Sequence, residues 1–256
     1  MKKKTVLLAT IHLLLCYASF SQKKDSVFHL SGTATVTNNG ISIVPSFSLE
    51  KPAAIFMLSA GKGRLSIDPD IRFSLAGKPW SMLFWGRYKV ATGKTFQMNV
   101  GAHLGLNYKT SLLPINGDTG MATVARRYLA GEIFPRVTVA KNVSIGIYYL
   151  YSHGLDAGTI GNTDFVTFNA NFSYIKIARG FFARFNPQVY YLKLDNEDGF
   201  YYTSALTLAK NNFPLSVSSI VNKKINSNIS NSKDLVWNVG LVYSFNKAYV
   251  SKKVVL

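Results

Sequence analysis

Residues 164–194 read DFVTFNANFSYIKIARGFFARFNPQVYYLKL, and apolar and polar residues alternate in this stretch on both sides of Ala178-Arg179-Gly180. Because successive side chains of a β-strand point to opposite faces, each arm is predicted to be a strand with one apolar face and one polar face. The apolar row of the first arm is Val166, Phe168, Ala170, Phe172 and Tyr174. The polar row between them is Thr167, Asn169, Asn171 and Ser173.

Both arms are longer than the strands of soluble proteins, which usually have about five or six residues. A tilted strand needs roughly 9–11 residues to cross a bilayer, and each arm reaches that length. The stretch therefore predicts an all-β fold, namely a transmembrane antiparallel up-and-down β-barrel.

The chain begins with a segment typical of a secretory signal peptide. Lysines at positions 2–4 precede an apolar core over residues 6–17, and Ser19-Phe20-Ser21 supplies a cleavage site. Residues 1–21 are therefore expected to be removed on export. The only cysteine, Cys16, lies in this segment, so the mature chain is predicted to form no disulfide and no cysteine metal site. The sequence contains no metal-ligand spacing, phosphate loop or cofactor motif.

The composition favours a membrane barrel over a soluble domain. Charged residues make up 16% of the chain, against about a quarter in soluble domains, and aromatic residues make up 13%. Aromatic girdles at both membrane interfaces are typical of barrels. Loss of the signal lysines lowers the formal charge from +17 to +14. In an exported protein the expected counter-charge is that of outer-membrane lipids, and no nucleic-acid partner is predicted.

Twelve strands can be read from residue 41 onward, and they define a predicted barrel over residues 41–246. The predicted strands are 41–49, 53–60, 64–75, 79–91, 95–109, 124–139, 142–153, 164–177, 180–195, 199–210, 212–224 and 233–246. Every even-numbered predicted strand but the last is followed by a tight turn that contains one cation. The longer connections follow odd-numbered strands, at the opposite end of the barrel, and are 110–123, 154–163 and 225–232. That alternation is typical of short periplasmic turns and longer outer loops. Residues 22–40 are then an N-terminal extension, inside the lumen or paired at the seam, and 247–256 form a basic tail.

The two predicted faces differ in a way that a soluble sheet would not require. The apolar rows, which include Ile67, Trp80, Ile147 and Leu241, contain no charged residue and are predicted to face lipid. An arginine on the lipid face at the membrane midplane would cost roughly 2–4 kcal/mol. The polar rows hold mostly Ser, Thr, Asn, Gly and Gln, which suits a lumen better than bulk water. Four prolines, Pro45, Pro69, Pro135 and Pro187, fall inside predicted strands, where they are expected to sit at β-bulges.

The export signal, the twelve two-faced strands and the last strand resemble those of Gram-negative outer-membrane β-barrel proteins, including porins. The last predicted strand carries WNVGLVYSF at 237–245. The resemblance implies an outer-membrane location and recognition of Tyr243 and Phe245 by the barrel-assembly machinery. The chain departs from the family pattern because residues 246–256 follow that aromatic end.

Ionisable residues on the polar face are the candidate functional residues. These residues are Asp68, Asp70, Arg72, Arg87, Lys89, His103, Glu132, Arg136 and Arg184. One interpretation is a charged constriction whose basic excess favours anionic solutes, which makes the barrel a narrow channel or transporter. The other is a salt-bridge network that fills the lumen, and twelve strands lie between a filled barrel and an open one.

Two further hypotheses concern the outer end. A closed barrel could act through its outer loops as an interaction surface. A lipid-acting hydrolase could use Ser152, His153 and Asp156, but adjacent Ser152 and His153 are predicted to point to opposite faces and cannot pair without a bend. The sequence therefore predicts no catalytic residue.

Overall fold

The computed structural model describes residues 27–42, 44–115 and 118–250, and in that part of the chain twelve antiparallel strands form a closed barrel. The strands are β1 (Phe28–Thr37), β2 (Ala53–Lys62), β3 (Leu65–Ser74), β4 (Pro79–Thr92), β5 (Phe96–Ile115), β6 (Asp118–Ala140), β7 (Val143–Gly154), β8 (Asn162–Ala178), β9 (Phe181–Leu194), β10 (Glu197–Lys210), β11 (Leu215–Ser227) and β12 (Leu235–Tyr249). A 3-10 helix at Pro45–Phe47 lies between β1 and β2. In the described residues no helix is long and apolar enough to span a membrane.

Each strand pairs with the next one in sequence, and β1 pairs with β12 to close the sheet. The predicted all-β, twelve-stranded barrel is confirmed. The turns after β2, β4, β6, β8 and β10 are short and lie at the end where β1 begins and β12 ends. Gly63 (φ 63°) and Gly180 (φ 78°) occupy the left-handed region that such tight turns require. We assign this end to the periplasm.

The identity of the first strand was predicted wrongly. The described residues of this range, 41–42 and 44–49, form no strand, because Pro45 opens a 3-10 turn that interrupts the alternation seen in the sequence. Phe28–Thr37 takes that place and pairs over its whole length with both β2 and β12. The segment 22–40 therefore contributes a strand at the seam, and the number of strands stays at twelve. The predicted signal peptide, residues 1–21, lies outside the described residues.

The outer connections also differ from the prediction. Residues 110–123 were expected to form a loop, but β5 and β6 continue through most of this range as a long hairpin. With 20 and 23 residues, these strands exceed the length that crosses a bilayer and extend beyond it on the outer side. The segment between β1 and β2, residues 38–52, is the long outer connection that the sequence did not predict.

The outward face of the barrel is an apolar belt. Large exposed side chains include Ile67 (62%), Phe168 (55%) and Leu241 (53%), all on rows predicted to face lipid. A soluble protein rarely exposes such a continuous apolar surface, because contact with water would be unfavourable. The belt is therefore the surface in contact with lipid.

The strand prolines are accommodated without the predicted bulges. At Pro69, Pro135 and Pro187 the strand register is the same on both sides of the proline, although some pairings are missing. Next to Pro187, the side-chain amide of Asn186 donates a hydrogen bond to the carbonyl oxygen of Ala170 at 2.7 Å. This bond replaces the ladder bond that the proline nitrogen cannot donate.

The last strand continues beyond its predicted end. It runs to Tyr249, which pairs with Phe28, and the two rings lie 6.2 Å apart. Tyr243 faces lipid (47% exposed), and Phe245 lies on the same face of the strand. The strand therefore ends on an aromatic residue, although that residue is Tyr249. Recognition of Tyr243 and Phe245 by the assembly machinery stays a prediction.

Substitution of lipid-facing isoleucines should depend on depth. Ile147 lies near the middle of β7 and is 53% exposed to lipid, whereas Ile177 lies at the periplasmic end of β8 and is 57% exposed. Ile147→Arg should lower the free energy of unfolding by about 2–4 kcal/mol, and Ile177→Arg by about 0–1 kcal/mol. Urea unfolding of both variants in lipid vesicles measures the difference. Equal costs would contradict the placement of the membrane.

Candidate functional site

The candidate site is the lumen, and the strand register places all nine predicted residues on its face. The register puts Asp68 opposite Trp85, Trp85 opposite His103, and Gly101 opposite Glu132. Residues opposite one another in a ladder share a face, so this alignment carries the inward face around the barrel. The structure brings some of the nine into direct contact and leaves others apart.

Arg87 is the centre of an ionic network. Its Nε lies 2.6 Å from Glu132 Oε1, and its Nη1 lies 3.0 Å from Asp68 Oδ2. The hydroxyl of Tyr148 donates to Glu132 Oε2 at 2.7 Å. A Cβ at Gly101 would stand 2.9 Å from Glu132 Oε1, so glycine at this position makes room for the carboxylate. The network joins β3, β4, β6 and β7 across one side of the lumen.

Aromatic rings extend this network toward the outer end. The guanidinium of Arg87 lies 4.3 Å from the ring centroid of Trp85, and the Trp85 ring lies 4.2 Å from that of His103. Asp68 accepts a further hydrogen bond from Ser59 Oγ at 2.6 Å. Sequence reasoning missed Trp85 and Tyr148. Trp85 lies two residues before Arg87, and Tyr148 lies two residues before Leu150, so each shares a strand face with a lumenal residue. This spacing was the signal in the sequence that could have placed both side chains in the lumen.

A second ion pair lies one step further out. Arg72 Nε donates to Asp70 Oδ1 at 2.8 Å, and the guanidinium lies 5.2 Å from the ring centroid of Trp80. Trp80 was expected on the lipid face but is only 2% exposed. A bulge between Arg72 and Phe73 shifts the β3–β4 register at this point and turns Trp80 inward.

The remaining predicted cations have no acidic partner. In the described part of the chain, no ion pair joins Lys89, Arg136 or Arg184 to an aspartate or glutamate. Arg136 instead bonds the side chain of Gln97, and Arg184 lies 5.3 Å from the ring centroid of Phe182. These three cations therefore have no ion-pair partner in the described residues, and together they outweigh the one excess negative charge of the Arg87 network.

The described residues of the segment 38–52, which are 38–42 and 44–52, fold into the outer half of the lumen. Trp80 Nε1 donates to the carbonyl oxygen of Phe47 at 2.6 Å, and the Phe47 ring lies 5.1 Å from that of the lumenal Tyr128. At its base the segment is closed by a hydrogen bond from Gly40 N to Lys51 O at 2.9 Å. The segment is therefore an inward-folded loop, which we call the inner loop.

An apolar cluster fills the lumen beside β8, β9 and β10. Its buried members are Phe165, Tyr190, Leu192, Leu194, Tyr201 and Ile229. The rings of Tyr190 and Tyr201 stack at 4.9 Å, and Tyr190 donates to Asn222 Oδ1 at 3.0 Å. Ile229 comes from the loop between β11 and β12, so a second outer loop also reaches inward. The cluster therefore takes up part of the lumen, and Phe165 also lines one of its cavities.

In the part of the chain that the structure describes, the larger cavities of the lumen include three that follow one another from the outer to the periplasmic end. The outer one, of about 680 Å³, and the middle one, of about 390 Å³, share Phe47 and Asn107 in their walls. The periplasmic one, of about 400 Å³, is lined by Asp68, Arg87 and Arg184. Phe47 and the Arg87 network stand between neighbouring cavities, and we take them as the two narrow points on the path of a solute.

The residues of the hydrolase hypothesis do not come together. Ser152 is buried on the lumen face, whereas the exposed His153 contacts Asn162 at 3.4 Å. Asp156 pairs with Arg127 at 2.6 Å, and hydrogen bonds from Arg127 lower the pKa of the Asp156 carboxyl. No group of three metal-ligating side chains occurs in the ranges that the structure describes.

Comparison with known proteins supports the fold. No family model matches the chain, and no curated protein matches it in sequence. The solved KdgM porin in complex with disordered oligogalacturonate matches with a TM-score of 0.53 at 10% identity, covering 85% of this chain and 99% of that one. KdgM porin alone matches with a TM-score of 0.51 at the same identity and coverage.

OmpT of Vibrio cholerae shows a weaker likeness, with a TM-score of 0.40 at 8% identity over 89% of this chain and 100% of that one. At such low identities these likenesses concern the fold alone. The closed barrel, its apolar belt and the likeness to the KdgM structures identify the chain as an outer-membrane β-barrel protein.

Proposed function

We propose that this barrel is a narrow outer-membrane channel for small solutes and that it prefers anions. The observation that carries the proposal is the distribution of lumenal charge. The carboxylates of Asp68, Asp70 and Glu132 are all engaged by arginines. The cations of Lys89, Arg136 and Arg184 have no such partners in the described residues. Rings of uncompensated cations favour anions in pores.

The row of three cavities supports passage of solutes. Each cavity is large enough for a small molecule, and the points between them are narrow. Oligogalacturonate, named with the KdgM porin, is a carboxylate-bearing chain, and that porin has a similar fold. By analogy, we propose that the solute of the present barrel is also an anion.

Removing the uncompensated cations should abolish the anion preference. At 4 Å a unit charge is worth about 1 kcal/mol to an ion even in bulk water, so the anion-to-cation permeability ratio of the triple variant Lys89→Gln/Arg136→Gln/Arg184→Gln should fall about fivefold or more. Reversal potentials in a planar bilayer under a KCl gradient measure the ratio. Arg179→Gln, in the exposed periplasmic turn after β8, is the control and should change it little. Cation selectivity of the unmodified barrel would overturn the proposal.

A closed barrel that acts as an interaction surface is the second candidate. The inner loop and Ile229 both occupy the outer half of the lumen, which favours a barrel that conducts little. A folded barrel that stays silent in planar bilayers, even after removal of the inner loop, would support this candidate. The projecting β5–β6 hairpin would then be the first surface to test for binding.

A further inference from the structure

We propose that the middle cavity of the lumen is a binding site for a small uncharged ring compound that carries a hydroxyl group. The proposal goes beyond channel function, because binding in this cavity does not require that the solute crosses the barrel. It rests on the size of the cavity, the chemistry of its walls and a buried imidazole nitrogen without a partner.

The size of the cavity sets the size of the ligand. Its volume is about 390 Å³, within the range of roughly 300–1,000 Å³ typical of small-molecule sites. An apolar cavity of about 150 Å³ holds one benzene ring. The middle cavity therefore has room for a molecule of two or three rings, and larger oligomers are excluded.

One wall of the cavity is aromatic and aliphatic. It is formed by Phe47, Tyr128, Tyr148, Leu150 and Phe165. The rings of Tyr148 and Phe165 lie 5.9 Å apart in an edge-to-face arrangement, and a ring of a ligand would extend this aromatic wall. This wall favours a planar apolar body.

The opposite wall is polar but electrically balanced. Asp70 and Arg72 line it as an ion pair, and Ser81 and Asn107 add neutral hydrogen-bonding groups. Because the guanidinium and the carboxylate compensate each other, the wall offers no net charge to an ionic ligand. An uncharged ligand avoids the desolvation cost that a charged one would incur in this enclosed space.

His103 supplies the directional contact. Its side chain lines the cavity, the residue is only 8% exposed, and Nδ1 has no hydrogen-bond partner among the residues that the structure describes. A Cβ at Gly105 would stand 3.2 Å from Nδ1, so glycine keeps this edge of the imidazole open toward the cavity. Buried polar atoms without partners are rare because they lose hydration without compensation. A ligand hydroxyl would satisfy this nitrogen.

The two ends of the cavity are bounded by different elements. Ile41, Ser42, Val44 and Phe47 of the inner loop line its outer part. Toward the periplasm, Trp85 and His103 stand between the cavity and Arg87. A ligand in the cavity would contact side chains of both, as in typical small-molecule sites.

The experiment uses 2-naphthol as the probe, with the refolded mature barrel in lipid nanodiscs and empty nanodiscs as the reference. Isothermal titration and saturation-transfer NMR report binding above the lipid background. Ser152→Phe places a ring in the cavity and should weaken binding at least tenfold. Ser216→Phe makes the same change on the lumen face of β11, four residues from the cavity-lining Ile220 toward the periplasm, and should leave binding unchanged. Ser81→Phe is a second filling variant if Ser152→Phe fails to fold.

Two further comparisons test the chemistry. His103→Phe keeps a ring beside Trp85 but removes the nitrogen, and binding should fall about tenfold, the usual loss for one hydrogen bond. The anionic 2-naphthoate should bind at least tenfold more weakly than 2-naphthol.

The proposal is overturned if 2-naphthol binds the barrel no better than empty nanodiscs, if binding survives both filling variants, or if 2-naphthoate binds more tightly. None of these outcomes depends on conductance, so failure of the channel proposal and failure of this one are distinguishable.

Discussion

Replacing residues 41–50 by Asn-Gly should raise the single-channel conductance several-fold. This change removes Phe47 and with it the narrow point between the outer and middle cavities, which then merge. The variant should still fold into a closed barrel, because the backbone N–H of Gly40 already donates a hydrogen bond to the carbonyl oxygen of Lys51 at 2.9 Å. Asn-Gly is also a favoured two-residue hairpin turn. Conductance in planar bilayers is the measurement.

A control shortens a different outer connection. Replacing residues 114–119 by Asn-Gly shortens the β5–β6 hairpin at the Leu113–Gly120 pair and keeps Met121, which lines the outer cavity. Its conductance should equal that of the unmodified barrel. Trp80→Phe, which loses the hydrogen bond to the Phe47 carbonyl, should give an intermediate or flickering conductance. If the shortened inner loop leaves the conductance unchanged, Phe47 does not limit the passage of ions through the barrel.

Arg87→Ser is expected to destabilise the barrel by about 3 kcal/mol and to widen the periplasmic narrow point. The substitution leaves Glu132, whose side chain is 4% exposed, and Asp68, at 14%, without their cation. Breaking a buried ion pair costs about 3–5 kcal/mol, and the 31% exposure of the Arg87 side chain favours the lower end. Urea unfolding gives the free energy, and planar bilayers give the conductance.

The compensating variant separates charge from packing. Asp68→Asn/Arg87→Ser/Glu132→Gln removes all three charges and should recover most of the lost stability while it keeps the raised conductance. Arg127→Ser is the matched control, since the ion pair of Arg127 with Asp156 is exposed and should contribute little. A loss as large for Arg127→Ser as for Arg87→Ser would show that burial does not determine the cost.

The sequence predicted the faces of the barrel well because alternation is a local property. Ile147 and Asn169 could each be assigned to a face from their neighbours alone. The first strand could not be chosen in the same way. Residues 41–49 and 28–37 both alternate, and the choice depends on β12, whose pairing with β1 is set by the whole closed sheet.

The contacts between lumenal residues were also beyond the sequence. Which carboxylates meet Arg87 depends on the register of β3, β4, β5 and β6, and a shift of two positions would give other partners. From the sequence, Asp68 and Glu132 could belong to a charged constriction or to a salt-bridge network. Only the strand register shows that both carboxylates meet Arg87. Trp80 shows the same limit, because a single bulge reversed its predicted face.

The seam between β1 and β12 has a consequence for synthesis. Thr37 Oγ1 donates a hydrogen bond to the Val239 carbonyl oxygen across 202 positions of the sequence. The first strand to be synthesised therefore has no partner on this edge until the last strand has been synthesised. Until residues 235–249 emerge, the sheet has two open edges, and unpaired backbone groups in hydrocarbon cost several kcal/mol each. A nascent chain of this protein therefore has no stable place in the membrane before its final strand is made, and its insertion follows the completion of translation.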